Sequence, residues 1–206
     1  MAKSVSRKLE EFSLIDVESR LVKLARGGDR GAFAELVHFY KDKLFHLAYR
    51  MLGQYQEAED VVQDTFIRVY KNLDRYDDTL KFSTWIYRIA TNLCIDKLRK
   101  RKSGYSLDAE VQDGEGTDWY STLATKDKGP EDELVLSETQ QHIRRAIDSL
   151  PQKYKSVVIL RYLNDLSLQE IGEILGMPVT TVKTRVHRGR EFLRKKLERE
   201  FGKLNN

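Results

Sequence analysis

LSLQEIGEILGMPVTTVKTRVHRGREFLRKKL, residues 166 to 197, decides how the chain folds. Ser167 with Glu170 three residues on predicts a capping box: the hydroxyl accepts from the third helical amide and the carboxylate reaches back to the cap amide. A helix starts at Ser167, with Ile171, Ile174 and Leu175 along one face. Gly176 supplies the backbone freedom for a tight stop, and Pro178 suits the first turn of the next helix. In that second helix Val179, Val182, Val186, Leu193 and Leu197 recur at near-heptad spacing and are expected to face inward. Thr180, Thr181, Lys183, Thr184, Arg185, His187, Arg188 and Arg190 are left for the outer face. Two helices at a short corner make a helix-turn-helix. Forked guanidinium groups and hydroxyls on the first half of its second helix suit the donor and acceptor pattern of the DNA major groove. A merely solvated basic helix would not need the capped first helix, the Gly-x-Pro corner and the opposite apolar seam together.

Upstream, Leu24, Ala32, Phe33, Leu36, Val37, Tyr40, Leu44, Leu47, Ala48 and Met51 recur at spacings of three and four, broken near Gly27 and Gly28. This predicts two helices ending by Gly53. Residues 1 to about 20 are weakly patterned, a frayed arm or an extra short helix. In QEAEDVVQDTFIRVYKNL, residues 56–73, the positions Ala58, Val61, Val62, Thr65, Phe66 and Val69 form an inward stripe. Glu57, Glu59, Asp60, Gln63, Asp64 and Arg68 stay outside. That acidic face would repel DNA phosphates and belongs to a protein partner or to water. Asp60 and Asp64 lack a third carboxylate on the face, so no metal site is expected there.

Residues 72–81, NLDRYDDTLK, read as a polar loop, followed by a helix from FSTWIYRIATNLCIDKLRKRK with Ser83 as its expected cap. Trp85, Ile86, Ile89, Ala90, Leu93 and Leu98 are its apolar positions. Tyr87, Arg88, Asn92 and Lys97 interleave with them, and Arg99, Lys100, Arg101 and Lys102 end it. Rings and cations alternating beside a loop suit unstacked single-stranded bases, although most such rings, Trp85 included, are expected in the core. From Ser103 to Leu134 periodicity disappears into a linker able to span ~105 Å. Ile143, Ala146, Ile147 and Leu150 then make a helix stopped by Pro151. Tyr154, Val157, Val158 and the segment from Leu160 to Leu163 make the one that leads into the helix-turn-helix.

The chain has 36 Lys plus Arg against 32 Asp plus Glu, net +4. Distribution says more than balance: nine basic and three acidic residues follow Pro178, whereas nine acidic and two basic lie between Ser103 and Leu134. Segregated charge implies separate partners. A single cysteine, Cys94, excludes an internal disulfide and fits a reducing cytoplasm. MAKSVSRKLEEF lacks the apolar core of a signal peptide and no stretch approaches a membrane span, so a soluble cytoplasmic protein is expected.

Taken together, these motifs resemble the extracytoplasmic-function (ECF) sigma factors of the sigma-70 family, which keep only sigma domains 2 and 4. EAEDVVQDTFIRVY is similar to region 2.2, KFSTWIYRIATNLCIDKLRKR to regions 2.3 to 2.4, and LSLQEIGEILGMPVTTVKTRVHRGRE to region 4.2. YSLDAE and RIATNLCIDKLRKR look closest to the subgroup serving the response to cell-envelope stress. The resemblance implies an all-α fold of two small helical domains: an arm over 1–21, region 2 over 22–102, a flexible acidic linker over 103–134 and region 4 over 135–206. It implies that Asp60, Gln63, Asp64 and Arg68 dock on the clamp helices of the largest polymerase subunit, with the flap of the second-largest subunit as a further contact. It implies minus-10 roles for Tyr76, which would shape the pocket of a flipped base, and for Arg88, Asn92, Lys97 and Lys100. Lys183, Thr184 and Arg188 would read the minus-35 element with Thr181, while Arg185 and Arg190 hold phosphates. The acidic linker would mimic RNA in a basic channel. Thr180 stands where the family has Gly, and Thr184 where Ser is usual, adding a methyl able to touch a thymine.

The implied partners are core RNA polymerase, promoter DNA and a membrane-anchored anti-sigma factor. No cofactor or metal is implied. An autonomous DNA-binding regulator would need a dimerisation helix to match two half-sites, and none is evident. A nucleic-acid enzyme would need a phosphate loop or a metal cluster, yet His38, His46, His142 and His187 are scattered.

Overall fold

The computed structural model describes residues 17–105 and 138–204. Most of the expected linker and the first sixteen residues of the arm lie outside the described residues. Every described element is helical. Helix α1 covers 17–26, α2 Arg30–Leu52, α3 Tyr55–Asn72 and α4 Phe82–Tyr105. They are followed by α5 Glu138–Asp148, α6 Gln152–Tyr162, α7 Leu168–Leu175 and α8 Val179–Leu204.

The first break falls where the two glycines predict it. Gly28 adopts φ +92°, and Asp29 caps α2 by accepting from the Gly31 and Ala32 amides at 2.8 and 3.1 Å. Leu36, Tyr40, Leu44, Leu47, Ala48 and Met51 are buried along α2, whereas Leu24 on α1 is exposed. Helix α1 begins ahead of the boundary expected at Val22. Leu21 packs on the core, and Tyr40 donates a hydrogen bond to the Glu18 carboxyl.

Burial raises Glu18 to about 7, against Lys43 and Lys81, which pull it down. The unfolded carboxyl releases its proton near ~4.3. Stability from this group is therefore fully present below that value, declines as pH rises toward about 7 and is lost above it. Discounted for its partial exposure, the expected fall is of order 1–2 kcal/mol. Thermal unfolding at pH 5 and pH 8 measures it, and Glu18→Gln should flatten the difference; an unchanged pH dependence in that variant would refute this assignment.

Helix α3 buries Ala58, Val61, Thr65 and Val69 of the stripe expected of it, and Val62 and Phe66 pack partly buried against the core. Its first turn lacks a side-chain cap at Gln54, and Arg101 at the far end of α4 supplies the tie instead. The guanidinium donates to the Leu52 carbonyl at 3.1 Å, to Gln54 Oε1 at 3.0 Å and to both oxygens of Glu57. One fork thus joins the end of α2, the start of α3 and α4. Arg101→Ala strands a half-buried carboxylate and a helix-end carbonyl, and is expected to cost about 2 kcal/mol. Arg101→Lys should recover only part of this, since a point charge cannot fill the fork. Urea midpoints check both; equal midpoints for all three proteins would contradict the tie.

The stretch expected as a polar loop is anchored rather than free. Leu73 and Tyr76 are buried, and a 3-10 turn covers Leu73–Arg75. Arg26 of α1 donates to the Leu73 and Tyr76 carbonyls at 3.3 and 2.8 Å and pairs with Asp78 at 2.9 Å. A fork meeting backbone acceptors from another helix is invisible to local pattern. Ser83 is not the cap: α4 begins at Phe82, with the Trp85 amide bonded to the Lys81 carbonyl at 3.2 Å.

In the second half, Ala146, Ile147 and Leu150 are buried while Ile143 is exposed. Lys155 is buried to 3% exposure and its ammonium meets Asp148 at 3.0 Å, tying α6 to α5. Pro151 caps α6. Ser167 and Glu170 form the predicted capping box, at 3.2 and 2.9 Å, and Gly176 stops α7 at φ +63°.

The halves pack on each other through α4 and α7, and their buried side chains join one apolar cluster. Lys81 reaches Glu170 at 2.7 Å, and Arg144 donates to the Tyr49 hydroxyl. Glu170 therefore serves both the capping box and the junction, and hydrogen bonds from Lys81 and Ser167 hold its carboxyl below its usual range against the opposing effect of burial.

Candidate nucleic-acid interface

Two close approaches set α8 in place. A Cβ at position 172 would lie 2.9 Å from the Met177 carbonyl oxygen, so the α7–α8 corner closes only over a glycine. A Cβ at 189 would lie 2.6 Å from Val158 Cγ2 and 3.4 Å from Tyr154 Cβ, so α6 touches the α8 backbone there. Neither glycine stands out by spacing; both are read only from the packed pair. Val182 is fully buried and Val186, Leu193 and Leu197 partly so. Val179, expected inward, is 45% exposed, because the corner turns the first residue of α8 outward past Gly172.

The opposite face presents Thr180, Lys183, Thr184, His187, Arg188 and Arg190 to solvent, with Thr181 and Arg185 half-buried at its edge. Thr184 donates its hydroxyl to the Thr180 carbonyl at 3.0 Å, which leaves its methyl as the group available to a ligand. An open cleft of about 370 Å³ runs along this face, and no carboxylate lines it.

A second surface lies on α4. Arg88, Asn92 and Lys100 are exposed. Lys97 stands roughly 140° around the helix from Asn92, and its ammonium pairs with Asp60 at 3.0 Å. Two residues expected to serve different partners thus meet each other. Tyr76 is buried under this surface: its ring lies 5.6 Å from Phe82 and 5.1 Å from Trp85, and its hydroxyl donates to the Leu80 carbonyl. Burial pushes its phenol up to about 12, so it stays a neutral donor.

The third surface is α3. Asp60, Gln63, Asp64 and Arg68 are exposed side by side, and Ile67 and Tyr70 adjoin them at 51% and 60% exposure. These two apolar side chains were not anticipated, although the signal was present: a β-branched and an aromatic residue three apart on the polar side of an amphipathic helix. Cys94 is buried and its thiol is pushed up to about 12, mainly by desolvation. Among the described residues no helix is long and apolar enough to cross a membrane.

A helical pair of this kind, with a basic helix-turn-helix in its second half, defines the class: the sigma-70 region 2 family model matches residues 36–104 and the sigma-70 region 4 model residues 140–193. The ECF RNA polymerase sigma factor SigW of Bacillus subtilis (strain 168) is 54% identical over 176 residues, 85% of this chain and 94% of its own. The chain belongs to the ECF sigma factors. Two solved structures share the fold. CnrH in complex with the cytosolic domain of CnrY has a TM-score of 0.65 at 22% identity, covering 88% of this chain and 97% of its own. The sigma factor RpoE in complex with the anti-sigma factor NepR from Bartonella quintana has a TM-score of 0.63 at 21% identity, covering 81% and 96%. The protein is accordingly a DNA-binding transcription initiation factor.

Proposed function

We propose that the three surfaces divide the work of initiation among themselves. The cation-rich face of α8, with its cleft that no carboxylate lines, carries this reading. On it Lys183, Thr184 and Arg188 read minus-35 base edges with Thr181, while Arg185 and Arg190 hold phosphates. The Thr184 methyl, its hydroxyl already engaged, suits a thymine. On α4, Arg88, Asn92 and Lys100 meet the unpaired minus-10 strand, and the buried Tyr76 acts from beneath by holding the loop that forms the pocket. Lys97 joins them by exchanging Asp60 for a phosphate. Capturing a flipped base offsets an unstacking cost of a few kcal/mol, about the amount that separates closed from melted DNA at one step. Asp60, Gln63, Asp64 and Arg68 dock on the clamp helices of the largest polymerase subunit, and region 4 meets the flap of the second-largest.

The working division is an arm over 1–21, region 2 over 22–102, a linker over 103–134 and region 4 over 135–206. Elements 25 base pairs apart, as their names imply, lie about 85 Å apart at ~3.4 Å per pair, so the halves must part when both are read. The Lys81–Glu170 bridge, exposed on the lysine side, resists this only weakly. The protein performs no chemistry of its own, needs no cofactor and works in the cytoplasm. A membrane-anchored anti-sigma factor holds it until cell-envelope stress; one fold neighbour was solved with an anti-sigma factor, which supports the anti-sigma part of this reading.

Run-off transcription with bacterial core polymerase, on templates with randomised minus-35 and minus-10 elements, tests the proposal. Start-site selection that depends on this protein is expected. Tight binding to duplex DNA by the protein alone, with no start-site selection, would replace the reading with an autonomous regulator.

A further inference from the structure

The contact at Gly189 has a result beyond packing: it brings the first turn of α6 over the reading face of α8. Lys153 and Tyr154 of α6 line the cleft there together with Thr180, Thr181, Thr184, Arg185 and Arg188 of α8. Its charged side chains are all cations and most of its remaining polar groups are hydroxyls. Lys153 differs from its neighbour Lys155. Lys155 is buried on Asp148, whereas Lys153 is exposed and its ammonium rests 5.2 Å from the centre of the Tyr154 ring. A lysine held by a ring at the mouth of a cationic cleft is placed for an anion.

We propose that this cleft seats one backbone phosphate of the duplex read by α8, with Lys153 as its charge contact and Tyr154 as the residue that positions the ammonium. The inference rests on α8 reading the minus-35 element. A phosphodiester offers a negative charge and several acceptor oxygens, which match the Lys153 ammonium, the Arg185 guanidinium already given to a phosphate and the exposed Thr180 hydroxyl. Because α6 is locked to α8 at Gly189, a phosphate held by Lys153 fixes the depth and register of α8 in the groove. It does not choose bases.

The test uses holoenzyme assembled from core polymerase and the full chain, on a promoter selected from a randomised pool by the unaltered protein. Phosphates around the minus-35 element are replaced one at a time by uncharged methylphosphonate. The unaltered protein is expected to lose about tenfold in affinity at one position. Lys153→Ala should lose about as much on the unmodified promoter, keep the same base preference, lower the salt slope by about one and become insensitive at that one position. Lys153→Arg should restore the sensitivity. Unchanged binding by Lys153→Ala, or weaker binding with every methylphosphonate penalty retained, overturns the phosphate seat alone. No selective promoter binding by the unaltered protein overturns the reading of α8 and the seat with it.

Discussion

Asp64→Lys is expected to lower core-dependent run-off transcription about 100-fold or more while leaving the protein folded. Asp64 is exposed on α3 beside Gln63 and Arg68 and has no ion pair among the described residues, so reversing it breaks no tie there and sets a lysine only against the exposed Arg68, at a cost of about 0.2–0.5 kcal/mol. Opposing like charges across a docked interface costs several kcal/mol, and about 2.8 kcal/mol already corresponds to 100-fold. Asp60 is the poorer site for this test. Its carboxylate pairs with Lys97 at 3.0 Å, and a lysine there would set two ammonium groups against each other. Transcription from core polymerase titrated with each variant, alongside thermal unfolding, makes the measurement. Partial recovery at high protein concentration would identify an affinity defect. Full activity of a folded Asp64→Lys protein would remove α3 from the polymerase interface.

The largest effect on stability is expected at Gly189, where two principles oppose each other. Replacing a mid-helix glycine by alanine ordinarily stabilises by about 1 kcal/mol. Here the new methyl would lie 2.6 Å from Val158 Cγ2, inside any real carbon contact, and Val158 is buried and β-branched. Its side chain has no second low-energy rotamer to move into, so overpacking of about 1–3 kcal/mol outweighs the helix gain. Gly189→Leu should exceed this and separate α6 from α8. Thermal unfolding of Gly189→Ala, Val158→Ala and the double variant gives the coupling. The double variant should be more stable than the sum of the singles predicts. Additivity would mean that the helices do not touch there.

Much of the helix-turn-helix was legible because its signals are local. Ser167 and Glu170 meet within one turn, Gly176 takes a conformation other residues avoid, and a periodic α8 must put its threonines and arginines opposite Val182. The α3 stripe was legible for the same reason. The failures have a common origin as well. Val179 fits the apolar period yet lies on the far side of the corner, which periodicity along one helix cannot register. The polar stretch before α4 looked free because its anchors, Arg26 and the Tyr76 ring, act across 47 or more residues or through burial. Arg101 looked like one more cation in a basic tail.

By itself, then, the sequence determined the helices, their stops and the chemistry of each exposed face, since these follow from spacing of a few residues and the charge each side chain carries. Only the tertiary structure decided which charges remain available. Lys97 is paired with Asp60 and must exchange it to meet DNA, Lys155 is tied to Asp148 and Arg101 to Glu57, whereas Lys153, Arg188 and Asp64 have no ion pair among the described residues. The physical reason is that an ion pair is decided by distance in space. Two lysines two residues apart in one helix can therefore meet, respectively, a carboxylate of the neighbouring helix and the face of an adjoining tyrosine ring.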